Sequence, residues 1–178
     1  MQALDTRFKI YAFLAIFALF GFVWLYVREF AVLSNTIGAK GLVGGSMLVA
    51  ALAAGGSLWR WRRRFSPWER HLPEVLIILV FSVLFAPLFG SWLNRAFGST
   101  ENQPFEFVSE APYFASNYGL LKGEKIQPTG YHLTVQENGR VYHFKYKTQT
   151  YYPITKPGDK VLLPVRKGLF GFRVVLLK

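Results

Sequence analysis

Residues 75–93 read VLIILVFSVLFAPLFGSWL, nineteen positions without one ionisable side chain, with Arg95 just beyond. At 1.5 Å per residue, a helix of about 20 apolar residues crosses a hydrocarbon core of about 30 Å. A helix in a soluble bundle keeps one polar face, and this stretch has none. It therefore reads as a membrane span. Two other stretches repeat the pattern. Residues 10–27 are eighteen without a charge, closed by Arg28 and Glu29, and residues 41–59 are nineteen more, closed by Arg60. The first follows Arg7 and Lys9, as in a signal peptide, but it is long, aromatic to its end and has no small-x-small exit. It is expected to remain as an anchor. Residues 1–97 thus form a domain of three transmembrane helices.

The composition agrees. The chain has 178 residues, 52% of them hydrophobic, with 17 Phe, 9 Tyr and 5 Trp, no Cys and a net charge of +11. Such a chain is too apolar to stay disordered. The missing cysteine excludes a disulfide scaffold, an Fe–S protein and a thiol nucleophile.

Loop charges set the expected orientation. Residues 60–72, RWRRRFSPWERHL, carry five arginines against one glutamate, whereas the segment after the third span offers Arg95 followed by Glu101 and Glu106. The positive-inside rule places the loop and the N-terminus in the cytoplasm, and everything after about residue 96 outside. In a bacterium this is an inner-membrane protein with a periplasmic C-terminal domain. In the loop, Trp59, Arg60, Trp61, Arg62, Arg63, Arg64 and Trp68 combine aromatic rings with cations. They are expected to anchor it at the lipid headgroups. Ser66-Pro67-Trp68-Glu69 has the form of a capping box with proline at the first helical position.

From residue 98 the apolar period falls to two. Residues 130–136 and 140–147 alternate around Glu137-Asn138-Gly139, a hairpin signal, with Tyr142, Phe144 and Tyr146 on one face. Lys156-Pro157-Gly158-Asp159 forms a second turn before residues 160–165, with Asp159 as a turn residue, and 172–177 make a last strand. Phe105–Val108 is a possible further strand and 112–123 a loop or short helix. Residues 98–178 are thus expected to form a small antiparallel β domain, barrel-like or sandwich.

Three features are candidates for function. In the second span, Gly41, Gly45, Ser46, Ala50, Ala54 and Gly55 form small-residue rows that allow close helix approach. Phe13, Phe17, Phe20 and Trp24 share one face of the first span, as a complement to it or as a lipid-facing surface. In the third span, Pro87 and Gly90 offer a kink, as in channels. The outer domain is basic toward its end: residues 140–178 hold nine basic residues against Asp159 alone. Lys145, Lys147, Lys160, Arg166, Lys167 and Arg173 form a possible anion or partner face. Nucleic acid is excluded as a partner by the assigned topology.

No catalytic motif is present, and the histidines (His71, His132 and His143) have no third ligand or carboxylate at zinc spacing. No enzyme activity, cofactor or metal is expected. The apolar windows contain no Asp, Glu, Lys, Arg or His, which argues against an ion or proton path. The expectation is a non-catalytic accessory, assembly or protective subunit bound to membrane lipid and to another membrane or envelope protein. The alternatives are a self-associating pore and a lipid- or polyanion-binding protein.

Overall fold

The computed structural model describes residues 6–114, 128–147 and 150–177, with backbone alone at 7 and 8. Three helices, α1 (Thr6–Ser34), α2 (Ala39–Arg60) and α3 (Leu72–Ala96), are long and apolar enough to cross a membrane. Each runs past its charge-free window, because helical hydrogen bonding does not stop where hydrophobicity does. The extensions bring Arg28 and Glu29 into α1 and Arg95 into α3. The windows themselves hold no ionisable residue, and these three lie in the added turns.

α3 is the middle helix of the three. On one side it packs along α2, which buries Leu42, Ala54 and Leu58. The fit depends on Gly90, where a Cβ would sit 2.8 Å from the Cβ of Ser46. On the other side α1 meets it through Phe22 and Tyr26, whose rings lie 5.7 and 6.0 Å from Phe85. Phe13, Phe17, Phe20 and Trp24 are exposed, so the interlock of these rings with α2 does not form; their face is the outward one. Pro87 is buried inside α3, and the helix continues through it to Ala96.

Between α2 and α3 the chain makes two short 3-10 turns, residues 62–65 and 68–71. Pro67 precedes the second turn, and no side chain caps it. The expected capping box is thus replaced by a tighter turn, which leads directly into α3 at Leu72. Trp59, Arg60, Trp61, Arg62, Arg63, Arg64 and Trp68 are all exposed there, and Arg62 lies 6.0 Å from the centre of the Trp59 ring.

Among the described residues, the β region is a nearly closed antiparallel barrel of six strands. They are β1 (Thr36–Ile37), β2 (Ser99–Tyr113), β3 (Gly130–Glu137), β4 (Arg140–Tyr146), β5 (Lys160–Lys167) and β6 (Arg173–Val175), in the order β1-β6-β5-β2-β3-β4. Its period-two alternation turns Phe105, Phe107, Leu133, Val135, Phe144, Tyr146, Val161, Leu163, Val165 and Val175 inward. Asn138 and Gly139 both take positive φ, as the hairpin requires. Asp159 closes the second turn by accepting from the Lys156 N–H at 2.9 Å.

Two features go beyond the sequence pattern. The possible strand at 105–108 is one part of β2, fifteen residues long. Its first half pairs with β5 and its second with β3, with a register shift between Phe107 and Ser109, so the strand turns the corner of the barrel. Residues 112 and 113 belong to this strand, and 115–127 lie outside the described residues. The sheet also takes Thr36–Ile37 from between the first two helices, pairing them with β6.

Candidate functional site

The last turns of α1 and α3 meet the barrel in a polar junction. Glu29 is 5% exposed. Its carboxylate accepts from Arg95 Nη2 at 2.5 Å, Ser91 Oγ at 2.5 Å and Trp92 Nε1 at 3.2 Å. A buried carboxylate is tolerable only with partners of this kind, and three donors within little more than one turn of α3 fix the position of α1 against it.

Two asparagines extend the junction into the sheet. Asn35 follows α1, and its amide behaves like a peptide group of an absent strand. Nδ2 donates to the Lys145 carbonyl at 2.7 Å, and Oδ1 accepts from the Lys145 N–H at 2.8 Å. Its own carbonyl accepts from Val175 N–H. One side chain thus bridges the seam between β1 and β4. Asn94 is fully buried in the last turn of α3. It donates to the Phe172 carbonyl and accepts from the Phe170 N–H, and its backbone carbonyl accepts from Leu169. Gly168 is required beside it, since a Cβ there would come within 2.3 Å of the Asn94 amide.

The loop held by Asn94 presents Phe170 and Phe172 to a groove between α2 and α3. This groove has a volume of about 570 Å³ and a floor that includes Gly41, Gly45, Ser46, Ala50 and Phe89. It divides the small-residue row of α2. Gly41 receives the Phe172 ring, with a Cβ distance of 3.2 Å, and Ser46 receives Gly90. Ala54 is buried within the chain. Gly45 and Gly55, like Gly44 and Gly56, have no atom within 4 Å of a Cβ position. Gly41, Ser46 and Ala54 therefore serve internal packing, Gly45 and Ala50 line the groove, and Gly55 faces open space among the described residues.

The six basic residues of the expected anion face do not lie together. Arg173 is consumed at the barrel end, where Nη1 and Nη2 donate to Glu137 at 2.8 and 2.6 Å and Nη1 also donates to Gln103 at 2.9 Å. This hydrogen bonding, aided by the opposite charge, lowers the Glu137 pKa against the opposing effect of burial and raises that of Arg173. Lys160, Arg166 and Lys167 lie on β5, where Lys160 opposes Glu106. Lys145 and Lys147 lie across the barrel at the end of β4, beside α1.

His132 and His143 share the outer face of β3 and β4, opposite Lys145 and Thr134 respectively. Partial burial, then Lys145 and His143, lower the His132 pKa. Among the described residues no three His, Asp or Glu side chains come together as metal ligands.

Sequence reading missed Glu29, Asn35 and Asn94 as functional positions. A signal for the first existed: with three spans, the ends of the first and third fall on the same side, where Glu29 and Arg95 carry opposite charge. Compared with protein-family models, with curated proteins and with solved structures, the chain matches none of them.

Proposed function

We propose that this protein is a non-catalytic subunit of the bacterial inner membrane that holds a transmembrane helix of another envelope protein. Its three helices cross the bilayer, with loop 60–72 in the cytoplasm and the barrel in the periplasm. The partner helix lies in the groove between α2 and α3, below Phe170 and Phe172.

One observation carries this reading. Gly45 lines the groove from inside a helix, where it costs about 1 kcal/mol relative to alanine. Among the described residues, nothing beyond its own stretch of helix lies within 4 Å of the position its Cβ would take. Lipid tails gain nothing from a glycine, whereas another helix gains close backbone approach and dense van der Waals contact. Phe170 and Phe172 then give the partner a contact that belongs to the barrel and is fixed to α3 through Asn94.

The pore reading has less support, since Pro87 is buried and Gly90 is occupied by Ser46.

A photoreactive amino acid at Val49, which lines the groove, tests the proposal in native membranes. The expected result is a protein adduct of one discrete mass, lost when Ala50→Trp fills the groove. Ala54 is unsuited to this purpose because it packs within the chain. Adducts only with lipid, only with a second copy, or unchanged by Ala50→Trp would each overturn the reading.

A further inference from the structure

A second cleft, of about 370 Å³, opens on the opposite side of the junction, between the last turn of α1, the end of β4 and the C-terminal strand. We infer that it binds a phosphate-bearing group, through Arg95, Lys145 and Lys147. This site is independent of the α2–α3 groove.

Charge is the first argument. Three cationic residues line the cleft, and its lining contains no Asp or Glu. Glu29 takes up one amino group of Arg95. For Lys145 and Lys147 no ion pair exists among the described residues; Lys145 has only the face of Tyr113, at 5.9 Å.

The second argument is unmet hydrogen bonding. The Nε of Arg95 and the hydroxyl of Tyr146 are buried with no partner among the described residues, and both residues line the cleft. Buried polar groups are rarely left so, because each has given up water without replacement. A phosphate offers several acceptor oxygens, and on the lysines' side of the cleft the Arg95 guanidinium is the donor that it meets.

A simpler role for the cations would be to neutralise the carbonyl end of α1. Two of its last four carbonyls already have partners. The Ala31 carbonyl accepts from Ser34 Oγ, and the Val32 carbonyl accepts from Asn35 N–H and Thr36 Oγ1. The lysines are therefore left for something else. If the helices cross a bilayer, the cleft lies where α1 and α3 leave it, at the depth of lipid phosphates. A lipid headgroup and a free phosphate present the same chemistry here.

The test uses the full chain in a neutral detergent and measures binding by native mass spectrometry. The probes are dihexanoyl phosphatidic acid, inorganic phosphate and dihexanoylglycerol, which has no phosphate. Phosphatidic acid is expected to bind and dihexanoylglycerol not to. Binding should weaken about tenfold in the double variant Lys145→Gln, Lys147→Gln. The double variant Lys145→Arg, Lys147→Arg, which keeps both charges, should retain it. Inorganic phosphate binding as tightly as the lipid assigns a free anion; binding of the lipid alone assigns a headgroup. Failure of both phosphates to bind, equal binding of dihexanoylglycerol, or undiminished binding by the glutamine variant with a native thermal transition would overturn the inference.

Discussion

Leu163 and Leu52 are the same residue in two different surroundings. Leu163 is fully buried inside the barrel, whereas Leu52 on α2 is 68% exposed. The contrast extends through both regions. Phe105 is enclosed by the sheet while Phe17 points away from the protein, and Val135 is hidden while Val49 is open. The barrel supplies its own apolar interior from alternating strands. The helices bury little against one another and leave large side chains outward, as expected where the surroundings are themselves apolar. Between the two regions lies a polar joint of Glu29, Asn35, Asn94 and Arg95, where neither kind of burial operates and hydrogen bonds set the geometry.

Substitutions in the two regions should separate accordingly. Leu163→Ala removes a side chain from a closed core and should cost about 4 kcal/mol, read as a large drop in the thermal transition of the purified protein. A loss below about 1 kcal/mol would show that the barrel interior is looser than its burial implies. Glu29→Ala should cost about 3 kcal/mol, since it leaves Arg95 and Ser91 facing an empty position, at the lower end because Arg95 keeps some solvent contact. Its more telling effect would be proteolytic release of the barrel from the helices, and a variant that stays resistant would refute the joint.

Asn35→Ala should cost about 2 kcal/mol by leaving the Lys145 peptide without partners. Hydrogen exchange should rise at Lys145 and Val175 and stay unchanged at Leu133 if the seam alone opens. Exchange rising throughout the barrel would contradict a local role. The smallest substitution effect is expected for Leu52→Ala, about 0.5 kcal/mol or less in detergent.

Acid should act on the barrel. In the fold the Glu137 pKa lies below the ordinary carboxylate value, so its ion pair with Arg173 contributes stability that is present above that value and lost as pH falls through the folded one. His132 adds to this in a higher window. Its folded pKa is below the ordinary imidazole value, so the unfolded chain takes up the proton first, and stability falls as pH drops from the ordinary value to the folded one. A pH series on wild type, Glu137→Gln and His132→Gln checks both. The first variant should flatten the acidic part of the profile and the second the part nearer neutrality. An unchanged profile in either would remove that group from the account.

Much of this fold is legible from period and punctuation. Eighteen or nineteen residues without charge mark each long helix, and Asn138-Gly139 and Pro157-Gly158-Asp159 mark two turns of the sheet. β1 is too short, at two residues, for any period to register. β2 was partly hidden by Pro104 and Pro112, which ordinarily argue against a strand. They are tolerated because each half of β2 is paired on one side only. The candidate site was legible in part. The small residues of α2 stood out, but which of them are used internally depends on Gly90 and Phe172, distant in the chain and adjacent in space. The basic residues stood out as one group, and the structure divides them, because strand order carries Lys145 and Arg173 to different surroundings.

By itself the sequence determined where hydrophobicity is continuous and where it alternates, and hence three long apolar helices and an antiparallel sheet. Those properties depend on neighbours within one or two turns of helix or one strand. Only the tertiary structure decided that Asn35 bridges a barrel seam, that Arg173 is neutralised by Glu137, and that Glu29 and Arg95 meet. Such outcomes depend on pairs 36 to 110 positions apart, and hydrogen bonds at that separation leave no local pattern because their strength comes from geometry that the whole fold sets.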